Sequence, residues 1–386
     1  MRDRIFDVAF SSGDGLSFRP RALDSDRTTL RLFGAGRGAV PDDRSCQSKP
    51  PRFGLAGLNG GRAQQIIVAH DFRLSQSDEH SLRRGCAVHA DRVHLLDLRR
   101  RPPATDDLQG LDDSFGNERV LLVALLSRAA YLPLFLTLAR SVKRAAIGRA
   151  DLFIGGPFRA RHASDAIATL VNSDYVEQDA IADCFFSHLG VAVPYSVKVQ
   201  TSGGELKIVD TRPWWQLAGR LRAGEMRVLP AGEVAYTGEQ ITGCFTADGA
   251  LLVSPQAPSA AALASRIHRR TSAAWQPVSL HVRDGRVRDI DGEGATRDLL
   301  CRLVDKDSRY SEITEIGISF NKACPDFVRD WNAPSNESRP GVHVAIGGDP
   351  DPPGGKSPGP PLVHIDLMAA NCDVHVNGAP FLRATN

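Results

Sequence analysis

The chain has 386 residues, 42% of them hydrophobic and 24% charged, enough apolar material for two or three domains with cores of their own. That balance excludes wholesale disorder, a collagen repeat and a disulfide miniprotein. Lysine and arginine number 47 against 45 aspartates and glutamates, a net charge of +2, so no global field points to nucleic acid or a membrane surface.

The N-terminus, MRDRIFDVAF, has no apolar core of signal-peptide length, and the chain is expected in the cytoplasm. The seven cysteines are scattered and never form CxxC, which excludes a zinc ribbon and argues against a disulfide framework. Residues 1–62 carry little periodicity and read as a poorly defined extension. Gly34–Pro51 reads as loop, and Thr28–Phe33 as a short strand.

From 63 to 194 strands alternate with helices, predicting an α/β layer. Ile66–Ala69, Val93–Leu98 and Asp151–Ile154 read as strands, and Ala163–Leu170 and Gln178–Leu189 as helices. Val120–Ala139 reads as a buried helix. It is not a membrane span, because Arg128 lies inside it and would cost ~3 kcal/mol or more in lipid.

Near residue 195 the period becomes two, and 195–386 is predicted as a strand-rich α+β domain. Short strands are expected at Tyr195–Gln200, Leu206–Val209, Ala250–Val253, Val278–Val282, Val342–Ile346 and Asp373–Val376. Asp284-Gly285 is a two-residue hairpin turn, and helices are expected at Ala260–Ser272 and Ala295–Val304.

The chemistry lies in this half. His364 and Asp366 are two residues apart, so on a strand they project from one face and can converge on a cation. Imidazole plus carboxylate suits zinc, manganese, cobalt or iron. His343 sits in GVHVAIGG, a strand running into glycines; the competing reading is a strand histidine satisfied by a carbonyl. Glu315, in ITEIGISFN, is a charge among isoleucines and must be at an edge or paired. Glu233, in LPAGEV, follows a proline and glycine that bend the chain; its plainer reading is a solvated turn carboxylate.

From about Tyr195 to Arg383 the sequence resembles the M29 metalloaminopeptidases and their relatives, which include 2,5-dihydroxypyridine dioxygenases. The matching stretches are SGGELKI, LPAGEV, ITEIGISFN, Asn336-Glu337 through GVHVAIGG, the Gly354-Gly355-Lys356 loop, LVHID and CDVHVNG, in family order. The resemblance implies an M29-like C-terminal domain, a dimer, and one or two divalent ions with a bridging water. Glu233, Glu315, His343, His364 and Asp366 fall where such peptidases keep metal ligands. Seven residues beyond His343, where the peptidases have a tyrosine, stands Pro350.

Three functions follow as expectations. The first is a peptide-recognising, metal-dependent hydrolase working in an interdomain cleft. The second is a non-catalytic peptide-binding protein, similar to those of crocagin-type ribosomal peptide biosynthesis. The third is a mononuclear iron ring-cleaving dioxygenase. Trp214-Trp215 with Arg212 can stack on a substrate, or the tryptophans can brace a domain junction. Cys184 and His188, four apart on a helix, read as core packing.

Overall fold

Strand β1 (Gln65–His70) is buried along its whole length, as a parallel strand covered on both faces must be. The structure, a computed structural model, describes residues 65–87, 92–99, 120–142, 145–152, 160–190, 194–221, 225–255, 258–272, 275–329, 331–348 and 362–384. The expected extension 1–62 with its Thr28–Phe33 strand, and the segment holding Pro350 and Lys356, lie outside the described residues.

Helix α1 (Gln76–Ala87) leads from β1 to β2 (Arg92–Asp97), and α2 (Leu132–Ser141) joins β3 (Val120–Leu126) to β4 (Ala146–Asp151). These strands form a parallel sheet in the order β2-β1-β3-β4, with one further strand beyond β4. Ile66, Val68, Leu121 and Val123 pack on one side with Leu82 of α1. Ile67, Ala69, Leu122 and Ala124 pack on the other with Phe135 and Leu136 of α2.

Val120–Ala139 is therefore not one helix. Its first seven residues are the central strand, and the helix begins only at Leu132. A run of apolar residues has no period that separates a doubly buried strand from a buried helix. Pro133 lies in the first turn of α2, where its missing N–H costs nothing, and Arg128 sits exposed at the junction. Of the strand expected at Asp151–Ile154, Asp151 ends β4, Leu152 lies beyond it, and Phe153 and Ile154 lie outside the described residues.

Two helices follow, α3 (Ala160–Asn172) and α4 (Tyr175–Leu189). The Asp174 side chain caps α4 by accepting from the N–H groups of Val176 and Glu177. The chain then alternates in short strands: β5 (Tyr195–Thr201), β6 (Gly204–Asp210), β7 (Trp215–Leu217), β8 (Met226–Val228), β9 (Glu233–Tyr236), β10 (Ile241–Ala247) and β11 (Leu251–Pro255). After α5 (Ala261–Ser272) come β12 (Val278–Arg283), β13 (Arg286–Gly292), α6 (Gly294–Lys306) and β14 (Ile313–Ser319). The short α7 (Ser335–Ser338) precedes β15 (Gly341–Gly347), β16 (Val363–Ala369), β17 (Cys372–Val376) and β18 (Ala379–Ala384). The β12–β13 turn is Asp284-Gly285 as expected, both residues having positive φ, 52° and 66°.

Apart from β8, which adds to the parallel sheet beside β4, these strands build two antiparallel sheets. One has the order β13-β12-β10-β6-β5-β17-β18 and the other β11-β16-β15-β14-β9-β7. Alternate residues of both, such as Val197, Ile208 and Phe245 against Ile316, Val344 and Ile365, meet in one core, so the sheets form a sandwich. The protein is thus mixed α/β, with one parallel and two antiparallel sheets. Among the described residues no helix is long and apolar enough to cross a membrane.

The two parts are joined by polar and aromatic contacts. Asn321 donates its amide to Ser173 Oγ (2.9 Å) and to the Ala231 carbonyl (2.8 Å). His162 stacks on Trp331 with ring centroids 4.2 Å apart.

Candidate metal centre

The six-stranded sheet has two unlike faces. Val234, Ile316, Ile318, Val342, Val344, Ile365 and Leu367 point into the sandwich core. In-register partners on antiparallel strands project to the same side. Glu233 pairs with Ser319, Gly317 with His343, and Ala345 with both Glu315 and Asp366. The opposite face therefore carries Glu233, Glu315, His343, His364 and Asp366 together, separated by glycine, alanine and serine. All five are buried, Asp366 and His343 to 1% exposure.

Two local devices aim these groups. Between Ile313 and Glu315 the register advances two residues on β14 but one on β15, a bulge centred on Thr314. In a regular strand Ile313 and Glu315 would share a face; the bulge sends Ile313 to the core and Glu315 to the polar side. Opposite His343, Gly317 leaves room for the imidazole, because a Cβ there would stand 2.0 Å from His343 Cε1 and 2.2 Å from Nε2.

The sequence reading missed a sixth member. Glu337, on α7, brings Oε1 to 3.9 Å from His343 Nε2. With Glu233 and His343 it offers three ligand atoms all within 4.8 Å of one another. Its signal was faint, since Ser335–Ser338 is a polar run without periodicity and α7 reaches the cluster by packing against β11, β14 and β16.

Glu315 stands between the two histidines. One carboxylate oxygen is 3.9 Å from His343 Nε2 and the other 3.7 Å from His364 Nε2. Glu233 Oε2 is 3.7 Å from His343 Nε2, and Asp366 Oδ1 is 2.8 Å from His364 Nε2. Donor atoms at ~2.0–2.2 Å from one ion are roughly 2.8–3.6 Å apart, so these separations match ligands that tighten slightly around a cation. His364 Nδ1 donates to the Gly348 carbonyl at 2.6 Å, which leaves Nε2 as the nitrogen with a lone pair to offer in the neutral ring.

Among the described residues, both ring nitrogens of His343 and Oδ2 of Asp366 are buried without a hydrogen-bond partner, and His364 Nε2 and Asp366 Oδ1 meet only each other, at 2.8 Å. Each such atom costs ~1–3 kcal/mol if left bare. Among the described residues these side chains form ion pairs only with one another, leaving four carboxylates against two imidazoles. The donor set therefore fits a divalent cation or two.

The protonation pattern follows. Burial lifts Glu233, and the charges of Glu315 and Asp366 add to it, pushing its carboxyl up to about 7 despite His343. Glu337 is held well above the usual carboxylate range by burial and by Glu233 and Asp366. Burial alone would lower both histidines. The carboxylates, Glu315 foremost at His343 and Asp366 at His364, reverse this and push each to about 10. Burial works to raise Asp366, but His364 and His343 overcome it and hold that carboxyl low.

The remaining expected site residues part company. Trp214 is sealed in the core at 1% exposure, its ring 4.9 Å from Phe185 and 5.3 Å from Tyr236, so it cannot stack on a ligand. Arg212 is exposed, its Nε 3.8 Å from Asp210. Trp215 is half-buried on β7. Cys184 and His188 are at the surface of α4 rather than in the core, Sγ to Nδ1 3.6 Å.

Fold and cluster together define a mixed α/β protein with a buried carboxylate–histidine centre on one sheet face. Residues 228–377 match the family of crocagin biosynthetic proteins CgnE/B, and this stretch holds all six members of the cluster. The family match falls on the crocagin side of the expected resemblances. No curated protein matches the chain. Among solved structures, 2,5-dihydroxypyridine dioxygenase from Pseudomonas putida KT2440 is similar at 15% identity, covering 86% of this chain and 92% of that one with a TM-score of 0.47. A diacylglycerol kinase from Bacillus anthracis strain Sterne has 11% identity, 79% and 94% coverage and a TM-score of 0.20. At these values neither likeness carries a functional conclusion.

Proposed function

We propose that the protein is a peptide-recognising component of crocagin-type natural-product biosynthesis, and that its buried cluster is a divalent-metal centre beside which a precursor peptide is held. The observation that carries this reading is the coincidence of the family match with the strands that build the cluster. Glu233, Glu337 and His343 would hold one ion and His364 with Asp366 a second, with Glu315 facing both. Zinc, manganese, cobalt and iron suit such a nitrogen and oxygen set.

Calorimetric titration of the full chain with a synthetic crocagin-type precursor peptide, metal-loaded and after chelation, tests the reading. Saturable binding is expected. Absence of heat in both forms would sink it.

The six-residue donor set favours a second reading, hydrolysis of a peptide bond in that precursor. A paired-metal centre supplies carbonyl polarisation and a hydroxide near neutral pH. The chain's part would be to hold the donor atoms on rigid strands and exclude bulk water from them. Mass spectrometry of the same peptide after incubation separates the two readings: shortened products support hydrolysis, and an intact peptide leaves recognition alone.

A further inference from the structure

Four of the six donor side chains project from the interior of strands whose ladders hold them: Glu315 on β14, His343 on β15, and His364 and Asp366 on β16. Glu233 and Glu337 are held differently. Glu233 is the first residue of β9, entered through Pro230, Ala231 and Gly232, and Glu337 lies on α7, which has four residues and no side-chain cap. A helix that short does not stand by itself in water. With His343 the two carboxylates offer atoms within 4.8 Å of one another, so when ionised they repel. Their backbones need an outside anchor.

Asn321, two residues beyond β14 and 1% exposed, touches both segments. Its Nδ2 donates to the Ala231 carbonyl at 2.8 Å, two residues before Glu233. Its backbone N–H donates to the Ser338 carbonyl at 3.0 Å, one residue after Glu337. Neighbouring bonds close the same seam: Phe320 N–H to the Gly232 carbonyl at 2.7 Å, and Ser338 Oγ to the Pro230 carbonyl at 2.5 Å. Gly232, with φ of 146°, turns directly against this residue, because a Cβ there would stand 2.6 Å from Asn321 Cβ. The bend that delivers Glu233 is fitted to Asn321.

Asn321 is in turn tied to the part of the chain that carries the parallel sheet. Nδ2 also donates to Ser173 Oγ at 2.9 Å, and that hydroxyl, fully buried between α3 and α4, donates to the Thr169 carbonyl at 2.8 Å. A buried polar group left unpaired costs ~1–3 kcal/mol, which keeps these contacts made.

We propose that Asn321 is a positioning residue of the metal centre: it fixes the Glu233 and Glu337 backbones against each other and, through Ser173, makes their spacing depend on how the α/β part is seated. The inference rests on reading the cluster as a metal centre. It gives ion affinity a determinant with no donor atom in the cluster, and another, Ser173, in the other part of the chain. Ion binding and seating of the α/β part then favour each other.

Zinc calorimetry on the full chain, comparing wild type with Ser173→Ala, Asn321→Ala and the double variant, tests this. Asn321→Ala is expected to bind zinc about tenfold more weakly and Ser173→Ala about threefold more weakly. The double variant should bind as Asn321→Ala does, because Ser173 acts only through Asn321. Single effects that add in the double variant are what independent damage at two places would give, and they overturn the relay. Wild-type affinity in either single variant overturns the proposal and leaves the metal centre standing. If Asn321→Ala does not fold, Ser173→Ala, which keeps both bonds from Asn321 to the two segments, decides by the same comparison. Wild type that takes up no zinc overturns the metal centre and this inference with it.

Discussion

The imidazole of His343 on β15 lies across Gly317 on β14, at distances where even a methyl group on residue 317 would overlap the ring. The missing side chain thus sets where the His343 ring nitrogens sit, although Gly317 has no donor atom of its own. Gly317→Ala is expected to fold, because β14 keeps its core contacts, but to displace the ring. Zinc or manganese affinity by calorimetry should fall by about 10–100-fold, the usual cost of disturbing a ligand's support. Wild-type affinity in a folded variant would contradict the geometry.

Glu315 and Ile316 are neighbours with opposite fates. Ile316 is fully buried in the sandwich, and Ile316→Ala should cost ~2–5 kcal/mol in denaturant unfolding while leaving the donor set in place. Glu315→Gln removes a buried charge from a cluster of carboxylates. The ion-free protein should lose stability, because His343 and His364 lose the carboxylate that faces both, and it should bind metal more weakly. Unchanged metal affinity in the variant would show that Glu315 serves as an ion-pair partner instead of a ligand.

Chelation should destabilise the protein. An ion that binds only the folded state adds about 2.7 kcal/mol at a hundredfold excess over its Kd, worth about 5 °C in melting temperature. Scanning calorimetry with and without chelator checks this. His364→Ala and Asp366→Ala should reduce the chelator's effect on the melting temperature, and a further His343→Ala change should abolish it.

Stability of the ion-free protein should fall as the solution becomes alkaline. His343 and His364 titrate near 10 in the fold against an ordinary value of 6.5, so they bind protons more tightly folded than unfolded. Their contribution is complete below pH ~6.5 and disappears as pH rises through 10. Glu233, raised from 4.5 to about 7, acts in the same direction between those values. Metal must displace these protons, so apparent metal affinity should rise with pH from 6 to 9, with protons released on binding. Denaturant midpoints of the ion-free protein that rise between pH 6 and 9, or metal affinity that falls, would contradict the assignment.

Much of this centre was readable one strand at a time. His364 and Asp366 share a face because a strand has a period of two, and Asp284-Gly285 makes a turn because both positions need positive φ. Glu315 was recognisable as a charge among isoleucines, yet simple alternation would have put it beside Ile313. The bulge at Thr314 that separates them exists only against β15. Glu337 fell within a stretch matching the family resemblance, but its polar surroundings gave it no ligand role, and Trp214 and Trp215 were indistinguishable until one was seen in the core.

The amino-acid order alone determined which segments are strands with one apolar face, which carry donor atoms, and the absence of a dominant charge. These are nearest-neighbour properties of backbone and side chain. Only the tertiary structure decided that β9, β14, β15 and β16 lie side by side, that Val120–Leu126 is the central strand of a parallel sheet, and that α7 delivers a fourth carboxylate. Strand order and register arise from burial summed over residues far apart in the chain, and no local pattern contains that sum.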